Sequence, residues 1–147
     1  MSSEDRGSAV MDRIIVEVAL ANNSDVQLFE AGVLATEKIR RAWLPGFVDT
    51  GVSHLVLPES VANQLGLPDL GTAPVCYAGK RKKRRRIVDQ VQVELLGRRG
   101  TFKAVVEPTR TDALIGAIVL LDLDLLPDYR TQTLQPRDPK QIIVEIE

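Results

Sequence analysis

The stretch that most constrains this chain is Phe47-Val48-Asp49-Thr50-Gly51-Val52-Ser53, followed by His54-Leu55-Val56-Leu57-Pro58. Two apolar residues lead into a carboxylate, a hydroxyl and a glycine, and a second apolar run follows. The pattern predicts a short buried strand that ends in a tight loop, with Asp49 held at the edge of a core. Asp-Thr-Gly alone also describes an ordinary turn. The rest of the chain has to decide between the two.

With 147 residues, 44% of them apolar, the chain can bury the core of one domain. Residues 1–11 read as a flexible tail and 12–147 as a single domain. No apolar stretch approaches the length of a membrane span. The start, Met1-Ser2-Ser3-Glu4-Asp5-Arg6, is polar and lacks the apolar centre of a signal peptide. Cys76 is the only cysteine, so no intrachain disulfide can form. A cytoplasmic protein with no membrane partner is expected. One histidine, His54, and one cysteine also argue against a His- or Cys-rich metal site and against a Cys-His nucleophilic pair. No metal and no cofactor are expected.

Charge is unevenly spread. Residues 80–86 read Lys-Arg-Lys-Lys-Arg-Arg-Arg, while the remainder carries 12 basic and 20 acidic residues. So one strongly positive stretch sits on an acidic chain. A solvated strand is its simplest reading. A wall that selects acidic substrates comes second, because cations steer anions. A nucleic-acid contact comes third, because no aromatic residues are interleaved to stack bases.

Ile14-Ile15-Val16-Glu17-Val18-Ala19-Leu20 predicts a strand by β-branched content and near alternation. Asn22-Asn23-Ser24-Asp25 predicts a turn. A second extended segment is expected over residues 33–44, with Pro45-Gly46 turning the chain into the Asp49 strand. After the loop, Pro58 to Leu65 predicts a short helix that Gly66 ends. Two long strands joined near Gly79 follow, forming a hairpin over about residues 73–96, with Val91, Val93 and Leu95 on its apolar face. Gly97 to Gly100 is read as a turn and residues 101–107 as a strand. Ala113-Leu114-Ile115 predicts a buried strand, followed by a short helix to about Asp124. Residues 141–146 predict a last strand. Trp43 and Phe102 are expected in a core or interface, and Cys76 as a small apolar filler. Asp122, Asp124 and Asp128 alternate with leucine and are expected to face solvent rather than hold a cation. Many short strands separated by turns predict an all-β barrel with one or two short helices.

Apolar-apolar-Asp-Thr-Gly-x-Ser resembles the active-site loop of the retropepsin-like aspartic peptidases. The order of elements agrees over roughly residues 14–136: N-terminal strands, the loop, a flap hairpin, then Leu114-Ile115-Gly116 before a helix. The segment 126–136 resembles the tail of bacterial members. The resemblance implies a homodimer with one aspartate from each chain, acting on a peptide or protein substrate. The chain contains no second Asp-Thr/Ser-Gly, and Asp112 lies at the wrong end of its strand. Two departures stand out. Ala117 replaces a basic residue that often supports the retroviral dimer, and the glycine-rich flap tip is reduced to Ala78-Gly79.

Amide hydrolysis needs one group to take a proton from water and another to deliver one. Two adjacent carboxylates sharing a proton can do both, because like charges in close contact do not both ionise; the aspartic-protease dyad is the type case. The resemblance therefore assigns catalysis to Asp49 as an aspartic endopeptidase. Thr50, Gly51 and Ser53 support the loop, and Ser53 is expected on the outer oxygen of Asp49. Ala78, Gly79 and Lys80 form the flap tip over substrate. Leu114, Ile115 and Gly116 form the matching apolar motif of the second half. Two rival readings remain: a peptide-binding or dimerisation domain of this fold without hydrolysis, and a nucleic-acid-binding module using residues 80–86.

Overall fold

Ile14, Val18 and Leu20 face inward while Ile15 and Glu17 face solvent, and that alternation forms the first strand, β1 (Ile14–Asn22). The structure, a computed structural model, describes residues 13–147. The expected tail of residues 1–11 lies outside the described residues. Then come α1 (Asn23–Glu30), β2 (Arg41–Val48), β3 (Leu55–Pro58), α2 (Glu59–Leu65), β4 (Asp69–Cys76), β5 (Lys82–Leu95) and β6 (Arg98–Glu107). The chain continues with β7 (Ala113–Ile115), α3 (Ala117–Leu123), β8 (Leu125–Asp128) and β9 (Thr133–Pro136). Seven strands form one sheet in the order β1-β2-β7-β3-β6-β5-β4, and a further β1–β5 pairing closes it on itself. β8 and β9 form a separate hairpin. Val18, Leu57, Val93 and Ile115, from four different strands, are fully buried at the centre. No helix among the described residues is long and apolar enough to cross a membrane.

The all-β expectation stands, with three short α-helices among the described residues instead of one or two. The extra one is α1, where a turn was expected. The Asn22 side chain accepts from Asp25 N at 3.0 Å and caps the helix. Asn serves turns and helix caps by the same local hydrogen bond, so the residue type alone does not distinguish them. Residues 33–40 are not extended. They carry a 3₁₀ turn at Thr36–Lys38, which lets Ile39 pack with Ala21 and Val26.

Pro45-Gly46 is not a turn but the middle of β2. Pro45 lies where β2 pairs with β1 alone, and β7 joins only at Gly46, so the missing N–H is tolerated. A Cβ on Gly46 would lie 2.6 Å from Val18 Cγ2. In β5 the apolar alternation holds at Val91, Val93 and Leu95, after a bulge at Gln90 (φ 62°) shifts its phase from Val88. Gly97 turns the chain and β6 begins at once at Arg98. Gly66 ends α2 in the left-handed conformation as expected (φ 58°). Phe102 is buried and Trp43 exposed.

Residues 141–146 do not form a strand. Guanidinium groups take the carbonyls that a neighbouring strand would otherwise use. Arg98 Nη2 donates to Gln141 O and Arg137 Nη2 to Ile143 O, each at 3.0 Å. Asp124 does not face solvent. It is buried, accepts from Arg137 Nε at 2.6 Å, and takes Ile143 N at 3.0 Å.

A second buried acid joins the two ends of the first helical excursion. Asp25 is 6% exposed and accepts from Arg40 N, Nε and Nη2 at 2.9–3.0 Å. The Arg40 side chain holds the Asp25 carboxyl below its ordinary value, against the opposing effect of burial. Arg137 does the same for Asp124. A depressed folded-state pKa contributes stability that is complete above the unfolded value, about 3.9 for Asp, and is lost as pH falls through the folded value. Thermal midpoints should therefore stay level from about pH 7 to 5 and drop below about pH 4. Asp25→Asn should lower stability at pH 7 by about 2 kcal/mol and flatten the acid limb. An unchanged acid limb in that variant would remove Asp25 from the account.

Candidate active site

Asp49 is the first residue after β2, and its position follows from what β2 pairs with. β7 runs parallel to β2, with Val48 opposite Ile115, and antiparallel to β3, with Leu114 opposite Val56. The loop of residues 49–54 thus leaves one strand, passes over the end of β7 and enters the strand on its other side.

Backbone hydrogen bonds hold this loop from behind. Asp49 N donates to Ile115 O at 3.1 Å, and Val52 N to Asp49 O at 3.2 Å. Ala117 N donates to Val52 O at 2.8 Å and Ile118 N to Ser53 O at 2.9 Å. The first turn of α3 has N–H groups without helical partners, and the loop carbonyls satisfy two of them. Gly116 makes this approach possible. A Cβ there would lie 2.3 Å from His54 O and 2.6 Å from Val52 O. Its φ of −84° is open to any residue, so close approach, not conformational freedom, requires glycine.

The structure therefore brings Leu114, Ile115 and Gly116 against the Asp49 loop. Asp49, Thr50 and Gly51 are exposed at its tip. Asp49 Oδ1 accepts from Gly51 N at 2.9 Å. The Ser53 hydroxyl pairs with His54 Nδ1 at 2.8 Å, so in the single chain it does not take the expected place on Asp49.

Ala78, Gly79 and Lys80 lie apart from this loop in sequence and form the tip of the β4–β5 hairpin. Gly79 (φ 79°) and Lys80 (φ 62°) both adopt left-handed backbone there. Tyr77 N donates to Arg81 O at 2.7 Å, closing the tip. The hairpin is tied to β6 by Glu107, which accepts from Tyr77 Oη at 2.6 Å and from Arg85 Nε at 2.5 Å. Burial first, then the Glu107 carboxylate, pushes the Tyr77 phenol above its ordinary pKa.

This arrangement divides the basic run. Arg84 bonds Thr72, Arg85 bonds Glu107, and Arg86 bonds Asn63 at 3.0 Å. Lys80, Arg81, Lys82 and Lys83 are exposed and make no ion pair among the described residues.

A pocket of about 290 Å³ opens beside Asp49. Phe47, Val48 and Leu114 give it apolar surface, and Arg13, Arg110 and Tyr129 complete the lining. Sequence reasoning passed over all three of the latter. Phe47 and Leu114 were accessible by alternation with buried Val48 and Ile115. Nothing local marks Arg110, which reaches Asp49 only through the β2–β7 pairing. Among the described residues, no group of three or more His, Cys, Asp or Glu side chains gathers to hold a metal.

A protein-family model described as aspartyl protease matches residues 43–119. Among solved structures, that of EIAV protease complexed with the inhibitor HBY-793 matches with a TM-score of 0.54. That match has 17% sequence identity and covers 76% of this chain and 88% of that one. At this identity the likeness concerns the fold: a retroviral-protease β-barrel. A comparison with curated proteins returns no match.

Proposed function

The chain belongs to the retropepsin-like aspartyl proteases, and from that premise we propose that it is an endopeptidase whose active site forms when two copies bring their Asp49 carboxylates together. One observation carries the reading. The only Asp-Thr-Gly of the chain lies exposed at the end of β2, on a loop whose back is held by β7 and α3. Such a site is preorganised yet half-finished, since one carboxylate cannot both take and deliver a proton.

In the pair, one carboxylate removes a proton from a bound water as the water oxygen bonds to the peptide carbonyl carbon. The other gives its proton to the carbonyl oxygen. Collapse of the tetrahedral species breaks the C–N bond: one of its hydroxyls returns a proton to the pair as the carbonyl re-forms, and the departing nitrogen takes a proton from the pair. The shared proton belongs to the dyad, not to either chain. Thr50 joins the two loops through its hydroxyl, and Gly51 lets the backbones meet closely. Ser53 supports the loop, in the single chain by pairing with His54. The hairpin of about residues 73–96, with Ala78, Gly79 and Lys80 at its tip, is the flap that closes over substrate and excludes water. The substrate is a peptide or protein, and the setting is cytoplasmic, consistent with a single exposed thiol at Cys76.

A two-chain site makes activity depend on concentration. Peptide cleavage per mole of chain should fall on dilution, in step with the dimer fraction measured by sedimentation velocity. Full activity in a demonstrated monomer would overturn the shared site.

A further inference from the structure

Resting on the reading of Asp49 as the reacting carboxylate, we infer that the adjoining pocket selects an acidic side chain, glutamate above all, close to the scissile bond. Its chemistry is two-part. Phe47, Val48 and Leu114 offer apolar surface for methylene groups, and Arg13 and Arg110 line the same cavity. A volume of about 290 Å³ is ample for one such side chain.

Arg110 is held in place before any ligand arrives. Its Nε donates to Asp112 O at 3.1 Å, its Nη2 pairs with Asp112 Oδ1, and the side chain is only 27% exposed. Arg13 lies over the Phe47 ring, with its guanidinium carbon 5.2 Å from the centroid. Planar forks fixed in this way suit a carboxylate, and a partly desolvated site strengthens the pairing. Among the described residues, Asp49 is the one carboxylate in the lining. In a dyad that shares a proton, the cations that the described residues bring to the two pockets outnumber their anions even when Asp112 is counted. The hairpin that would close over the site carries exposed Lys80, Arg81, Lys82 and Lys83. That field has the same sign and would raise the encounter rate of acidic peptides at low salt.

The test has a cleavage arm and a binding arm. A randomised peptide library is digested at pH 5.5, and the preferred sequence is remade with Glu or Gln at the selected position. In parallel, alanine-rich hexapeptides with a central reduced amide, carrying Glu or Gln on either side of it, are titrated by fluorescence anisotropy. Wild type should favour Glu over Gln by about tenfold or more, in kcat/KM and in affinity. Arg13→Gln and Arg110→Gln should each shrink that ratio toward one. Arg110→Lys, keeping charge but not the fork, should restore it only in part. The ratio should also collapse below about pH 4, where free glutamate protonates; a preference set by shape would persist. Cleavage with no acidic preference, or a ratio unchanged in both Gln variants, overturns this inference and leaves the protease reading intact. Glu-selective binding lost in Arg13→Gln, with no cleavage of any peptide, supports the pocket and counts against hydrolysis. Neither cleavage nor selective binding overturns the inference as well.

Discussion

Asp49→Asn should yield a folded dimer with no measurable peptide hydrolysis. The side chain is exposed, and its one hydrogen bond among the described residues, from Gly51 N to Oδ1 at 2.9 Å, can be accepted equally well by a carboxamide oxygen. The loop loses no structure, because its other bonds are between backbone groups or, at Ser53 and His54, between side chains other than that of Asp49. What disappears is a group that can take and deliver a proton, and general acid–base catalysis of this kind contributes about 10²–10⁴ per function. One substitution disables both members of the pair, so the loss should be at least about 10³-fold. The measurement is peptide cleavage between pH 4 and 7 at matched dimer concentration, with circular dichroism and sedimentation as controls for folding. Mixing equal amounts of variant and wild type should leave about one quarter of the dimers with two intact carboxylates if the chains assort freely. Activity per wild-type chain should then be roughly halved. An Asp49→Asn protein that keeps more than about one hundredth of the wild-type rate would take Asp49 out of the chemistry.

Gly116→Ala should damage the same site from behind, through packing. The added methyl would lie 2.3 Å from His54 O and 2.6 Å from Val52 O, both backbone atoms. Relief would require the loop to move away from α3, breaking the bonds from Ala117 N to Val52 O and from Ile118 N to Ser53 O. Overpacking plus two lost hydrogen bonds should cost about 3 kcal/mol or more, a drop of roughly 10 °C in Tm for a domain of this size. Any folded fraction should have a displaced Asp49 and lowered kcat. Gly79→Ala is the contrasting control. Nothing lies within 4 Å of a Cβ there, so only the left-handed φ of 79° opposes the change, at about 1 kcal/mol. A Gly116→Ala protein that melts within about 2 °C of wild type would refute the idea that α3 clamps the loop.

The two predictions differ in how far they could be read from residue order. Asp49 is marked by its neighbours: apolar Phe47-Val48 before it, Thr50-Gly51 after it. Leu114-Ile115-Gly116 is marked as apolar strand followed by glycine, but the reason for the glycine is not local. It lies in carbonyls more than sixty residues away in the chain. Pro45-Gly46 shows the reverse error. Its turn chemistry is strong, yet both residues are strand, because β1 and Ile115 pack so closely that only a glycine fits. Asn22 and Asp124 were misread for one shared reason. Short polar side chains satisfy backbone or guanidinium partners wherever the fold supplies them, and neighbouring residues do not say which partner will arrive.

Sequence alone determined the strands at Ile14–Leu20, along Val91–Leu95 and at Ala113–Ile115, the end of α2 at Gly66, and the one Asp-Thr-Gly loop with its aspartate at a strand end. These depend on periods of two and on residue-specific backbone preferences, which act over a few residues. Only the tertiary structure decided that β7 enters between β2 and β3, that α3 braces the loop, and that Arg13 and Arg110 line one pocket with Asp49. Those outcomes depend on pairings between segments distant in the chain. Closing a long loop costs little more than closing a short one, so such pairings are chosen by how well the strands pack, not by their separation.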